Sequence, residues 1–134
     1  MSTYRVGYLG FHGSRRTLHL GRDDITLTDL AGLLAGKCAS KTLYFGACST
    51  LAIKDAELME FCRTTGARGV VGYTKDVNYV ESVAFEMILL RELVRSANFK
   101  SVYNRLRRDH PELTRKLGLR MAHRTWASDR SIAV

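Results

Sequence analysis

Three apolar runs of strand length, residues 4–11 (YRVGYLGF), 42–47 (TLYFGA) and 68–73 (RGVVGY), are separated by segments whose apolar residues repeat at helical spacing. Strands parted by helices cannot be joined by tight hairpins. They lie side by side and parallel, with helices covering both faces of the sheet. In such sheets, ligands and reacting groups collect beyond the C-terminal strand ends. Two residues with chemical potential fall there: His12 after the first run and Cys48 after the second.

The remaining elements follow from local chemistry. Residues 17–20 and 25–27 are short and β-like, and Gly21, Arg22, Asp23 and Asp24 between them predict a small hairpin. His12, Gly13 and Ser14 predict a tight turn. Thr28 stands as a helix N-cap, with Asp29 in the first turn and a stop near Gly36. Residues 55–65 place Leu58, Met59, Phe61 and Cys62 at helical spacing, and Gly66 ends that helix. Residues 77–97 form the longest periodic segment, with Val80, Val83, Ala84, Met87, Ile88 and Leu90 as its apolar stripe. Residues 99–108 predict a helix with Phe99, Val102, Tyr103 and Leu106 on one face. Asp109, His110 and Pro111 break it. Residues 112–117 predict a short helix, and 119–125 a last strand.

A chain of 134 residues suits one domain, residues 1–134, with its own core. No apolar run approaches the ~18 residues of a membrane helix, and the N-terminus lacks the apolar core of a signal peptide. A cytoplasmic protein with no membrane partner is expected. Cys38, Cys48 and Cys62 cannot all pair internally, and a reducing compartment leaves them as thiols. None has zinc-ligand spacing, so no metal is expected. The formal charge of +8 is uneven: residues 1–90 net +1 and residues 91–134 net +7. The basic segment, 99–134, belongs to the same domain. Such a patch binds nucleic acid, an acidic partner or another subunit, or serves only as a solvated face.

A thiol is a poor nucleophile and a thiolate a good one. Cys48 therefore needs a base, and His12 can serve, later donating the proton to a leaving amine. Gly13 allows a substrate carbonyl to approach the backbone, and Gly46 and Ala47 leave space beside the cysteine. The N–H groups of Gly13 and Cys48 could form an oxyanion hole. No third catalytic member is evident, which leaves a backbone carbonyl to orient His12. This chemistry needs no cofactor.

The surrounding residues sharpen the reading. Tyr8-Leu9-Gly10-Phe11-His12-Gly13 resembles the strand-then-His-Gly motif of the caspase-like cysteine peptidases, and most closely that of their CHAT, or separase-like, branch. Leu43 to Thr50 (LYFGACST) resembles that branch's hydrophobic strand followed by Ala-Cys-x-Thr. Residues 66–72 look like the family's next strand, and Asp76 and the long helix follow in the same order. The resemblance covers residues 4–95 and implies a three-layer α/β/α caspase-like fold with a mainly parallel sheet. It also implies endopeptidase activity, with Cys48 as nucleophile and His12 as general base, acting on a protein or peptide substrate.

The chain departs from the pattern in two ways. The family has strands before the one that carries the histidine, so this domain is minimal, truncated on its N-terminal side, or completed by a homo-oligomer or partner subunit. Leu51 stands where the family has glycine. A non-catalytic caspase-like module is the alternative, and a basic nucleic-acid-associated protein the third reading.

Other residues carry open alternatives. Asp76 lines a pocket for a basic side chain, or is a loop or capping carboxylate. Ser49 and Thr50 hold the turn after Cys48 or cap the next helix. Asp55 suits a helix N-terminus. His19 reads as a surface histidine, and His110 and His123 have no evident partner. Cys62 reads as core and Cys38 as a loop thiol. Trp126 and Tyr103 accompany the basic segment, where they suit stacking on single-stranded nucleic acid.

Overall fold

The computed structural model describes residues 5–9, 12–14, 16–20, 23–46, 49–76, 79–96 and 98–128, and at Arg5, His12, Gly13, Leu20 and Tyr79 it describes the backbone alone. The chain runs β1 (Arg5–Leu9), β2 (His12–Ser14), β3 (Thr17–Leu20), β4 (Asp23–Thr26), α1 (Leu27–Leu33), β5 (Lys41–Phe45) and α2 (Asp55–Thr65). It continues as β6 (Gly69–Tyr73), α3 (Tyr79–Arg95), α4 (Phe99–Asp109), α5 (Pro111–Leu117), β7 (Leu119–His123) and β8 (Trp126–Ala127).

Five strands form one sheet in the order β1-β5-β6-β7-β8, and β2-β3-β4 form a second, antiparallel sheet. β1, β5 and β6 are parallel, as the alternation of strands and helices requires. β7 and β8 are antiparallel, so the sheet is mixed. Three successive helices on one face return the chain to the end of β6. There Thr74 N–H donates to Gly118 O at 2.8 Å, and β7 can only run backwards along β6.

Alternation along β5 divides the interior. Leu43 and Phe45 join Leu18, Leu27, Leu58, Phe61 and Cys62 under α1 and α2, whereas Tyr44 joins Phe85, Leu89, Val102 and Leu106 under α3, α4 and α5. Helices thus cover both faces of the sheet. Gly69 is required by a close approach, because a Cβ there would lie 2.3 Å from the Phe99 ring. No helix among the described residues is long and apolar enough to cross a membrane.

Several local expectations are corrected. His12, Gly13 and Ser14 form strand β2 against β3, with His12 opposite His19, in place of a turn. β4 occupies only one edge of β3, and β2 satisfies the other. The first helix begins at Leu27, capped by Thr26, whose Oγ1 accepts from Asp29 N at 3.1 Å, and not by Thr28. Burial of Leu27 draws the chain inward two residues earlier. On α3 the buried line is Phe85, Leu89 and Leu93, each fully buried, while Val80, Val83 and Met87 face outward. That segment is apolar on more than one side, so periodicity alone cannot choose the face that fits the sheet. Cys38 lies in the loop between α1 and β5, as expected, and is buried there.

Arg120, on β7, is fully buried. Its guanidinium donates to Ile53 O at 3.1 Å, to Ser128 O and to the Asp55 carboxylate. This charge ties the start of α2 to β7 and to the residue after β8. Asp55 therefore does more than favour a helix N-terminus.

Candidate functional site

β1 and β5 pair in parallel with Leu9 opposite Phe45, and Gly46 N–H adds one further rung by donating to Leu9 O at 2.9 Å. The chain leading to His12 and the chain leading to Cys48 therefore leave the sheet side by side. Cys48 itself and the His12 side chain lie outside the described residues.

The segment after Cys48 is held from two sides. Ser49 N–H donates to Lys75 O at 3.0 Å, and Leu51 N–H to Tyr73 O at 3.1 Å, which fixes the segment to the end of β6. Opposite, Arg16 N–H donates to Thr50 O at 3.2 Å, and Thr50 Oγ1 donates weakly to Thr17 O at 3.4 Å. Thr17 is paired with Ser14, two residues beyond His12. The second sheet, which carries His12, is thus docked on the residues that follow Cys48.

Ser49 has a left-handed backbone, φ 55°, a conformation that costs a non-glycine residue roughly 1 kcal/mol. Its hydroxyl donates to Asp76 Oδ1 at 2.9 Å. The two expected pocket residues therefore bind one another. α2 is preceded by Lys54 without a side-chain cap, so Ser49 and Thr50 hold the turn and do not cap that helix. Leu51 is completely buried, and a Cβ on Gly72 would meet its side chain at 2.8 Å. The leucine thus fills the space that Gly72 leaves open. Gly13 sits in β2, opposite Leu18.

Sequence reasoning missed three contributors. A Cβ on Gly46 would lie 3.0 Å from the Tyr8 hydroxyl, so the space this glycine leaves is taken by Tyr8, whose ring packs 5.3 Å from that of Tyr44. Arg16 joins the loop after Cys48 to α2, its guanidinium donating to Glu57 at 3.0 Å. Beside Arg16, α1 and α2 enclose a cavity of about 570 Å³, floored by Leu27, Ala31, Ile53 and Phe61. Only the charge of Arg16, next to the His-Gly segment, could have signalled any of these.

The two described thiols are ordinary core groups. Burial pushes Cys62 up to about 12, and its Sγ lies 3.8 Å from Ala122 O. Burial raises Cys38 as well, against the lowering influence of Lys41. His19 is a surface residue, as expected, and its Nδ1 lies 2.7 Å from Asp24 Oδ1 in an exposed contact. His123 has partners too: its Nδ1 accepts from Thr125 N–H at 3.2 Å, and its ring lies 5.6 Å from that of Trp126.

The fold defines a small mixed α/β protein whose chain leaves β1 and β5 side by side on its way to His12 and Cys48. The chain belongs to the Family of unknown function (DUF6642), whose model matches residues 1–123. No curated protein and no solved structure matches it.

Proposed function

We propose that this protein is a cysteine endopeptidase of the caspase-like, CHAT-related type, with a three-layer α/β/α fold, acting on protein substrates in the cytoplasm. The observation that carries the reading is the in-register parallel pairing of β1 with β5, which ends Leu9 beside Phe45, with His12 three residues further along one strand and Cys48 three residues further along the other. The docking of Thr50 on Arg16 and Thr17 supports it. In this reading His12 takes the Cys48 proton and the thiolate attacks the peptide carbonyl carbon. The N–H groups of Gly13 and Cys48 receive the developing oxyanion. His12 then protonates the leaving amine as the C–N bond breaks, and water hydrolyses the thioester. The cavity between α1 and α2 adjoins the same loop and offers an apolar seat for substrate.

The test is the rate of Cys48 alkylation by iodoacetamide from pH 5 to 9, in wild type and in His12→Ala. Cys38 and Cys62, both buried, serve as slow internal controls. Reaction well below pH 8 that is lost in His12→Ala supports the dyad. An ordinary thiol profile in both proteins rejects it.

A second reading, a non-catalytic caspase-like module, is favoured by Leu51, whose burial against Gly72 fills the position where the family has glycine. It predicts an unreactive Cys48 in the same experiment.

A further inference from the structure

The end of the sheet where β6 starts and β7 finishes carries a different chemistry. Trp126, the single tryptophan of the chain, pairs with His123 across the β7–β8 turn. Its indole is only partly buried. It meets the buried Tyr103 ring edge-on at 5.9 Å and lies tilted against the His123 ring at 5.6 Å.

A cavity of about 360 Å³ opens on the α4 side of this ring pair, lined by Lys100, Asn104 and Arg107 with Tyr103 and Trp126. Lys100, Asn104 and Arg107 follow one another at helical spacing, so they form one stripe of α4. Among the described residues, neither Lys100 nor Arg107 has an ion-pair partner. Asp55 also lines this cavity, but its carboxylate is engaged by Arg120. On the other side of His123, a second cavity of about 420 Å³ is lined by Arg68 and Arg124 with Ser40. The rings thus stand between two cationic hollows, within a segment of net charge +7 over residues 91–134.

We propose that this edge is a binding track for single-stranded nucleic acid. One base stacks on Trp126 beside His123, and the neighbouring phosphates lie against Lys100 and Arg107 on one side and Arg68 and Arg124 on the other. An aromatic platform flanked by cations is what sequence-tolerant single-strand binding needs. A partly buried ring on β8, beside α4, is reached more readily by an unpaired base than by a base inside a duplex. The Trp126–His123 pair lies by the start of β6, whereas the loop after Cys48 is fixed to its end, and the proposal does not rest on the peptidase reading.

The single tryptophan makes the test direct. Its fluorescence is followed while an oligothymidylate of about 12 nucleotides is added, a length within the usual range of single-strand site sizes. Duplex DNA of equal length, heparin and polyglutamate are titrated in parallel. The expected result is quenching by the single strand at lower concentration than by any of the three. Binding of a labelled oligonucleotide should weaken about ten-fold in Trp126→Leu, as loss of one stacked base requires. In Lys100→Gln/Arg107→Gln, exposed positions that leave folding intact by circular dichroism, the slope of log affinity against log salt should fall by about 1.4. Cys48→Ala should bind like wild type. Absence of quenching, equal binding of duplex or heparin, or variants that bind like wild type would each overturn the proposal.

Discussion

Ser49 Oγ donates to Asp76 Oδ1 across 2.9 Å, and so holds in place a residue of left-handed backbone directly after Cys48. The bond is exposed and its worth to global stability is small, about 1 kcal/mol. Its importance is local, because Asp76→Ala frees Ser49 to leave a strained conformation. Under the peptidase reading, Asp76→Ala should slow Cys48 alkylation several-fold while the melting temperature moves by only a few degrees. Ser49→Gly accepts the same φ without strain and should keep more of the reactivity. Equal alkylation rates in all three proteins would show that this bond does not set the loop.

Arg120 is a buried cation whose partners are two carbonyls and one carboxylate. Arg120→Met should cost about 3–5 kcal/mol in urea unfolding, because it leaves Asp55 and two carbonyls without their donor. Arg120→Lys should recover little, since one ammonium cannot reproduce the planar fork. A loss below about 1 kcal/mol would mean that water replaces the guanidinium.

Gly69→Ala sets a methyl group against the Phe99 ring at 2.3 Å and against Ala122 O at 2.8 Å. Neither neighbour is the loose end of a flexible chain. A destabilisation of about 1–3 kcal/mol is expected. Phe99→Leu in the same background should restore part of it, measured as a shift in the urea midpoint.

Burial holds the Cys62 proton up to about 12, whereas an unfolded cysteine releases its proton near ~8.5. Between those values the folded state binds the proton and the unfolded state does not, so stability must fall as pH rises. The stabilisation is fully present below about pH 8 and is lost towards pH 12, at most ~1.4 kcal/mol per pH unit. The stability difference between wild type and Cys62→Ala should therefore narrow from pH 8 to 10. This range lies below the onset of Tyr44 and Tyr73, whose hydroxyls burial also raises. A constant difference across that range would place the Cys62 thiol in contact with water.

The two faces of α3 should respond differently. Met87→Gln, at an outward position, should change stability by less than about 0.5 kcal/mol, and Leu89→Ala, at a fully buried one, should cost about 2–5 kcal/mol. Chemical denaturation of both variants checks the assignment of the buried face.

Sequence pattern was a good guide where one physical rule dominated. Residues 55–65 match α2 end for end, and Gly66 takes the left-handed cap at φ 77° that a helix-ending glycine adopts. Phe99, Val102, Tyr103 and Leu106 are the buried face of α4, as their spacing requires. The parallel direction of β1, β5 and β6 also followed from the alternation of strands and helices, whereas the neighbouring of β1 and β5, on which the His12 and Cys48 reading depends, is fixed by the strand order of the sheet. Pattern was a poor guide where distant parts of the chain decide the outcome. The strand at His12 exists because β3 has a second edge to satisfy, and α3 turns Phe85 inward because of the sheet beneath it. Arg120 reads as a charge in a terminal strand, and only the meeting of β7 with residues 53–55 makes it a core residue. The Ser49–Asp76 contact spans 27 residues and has no local signature.

The fastening by Arg120 has a consequence for how the protein is born. Residues 53–55, just past the Cys48 loop, are tied by Arg120 to β7 and residue 128. A nascent chain on the ribosome has made both proposed reacting groups 72 residues before Arg120, the distance in sequence from Cys48 to that anchor. Under the peptidase reading, chains interrupted by premature termination would therefore carry both proposed groups without the brace. Synthesis itself would then act as a timer, with the start of α2 set firm only after translation has passed the last strand.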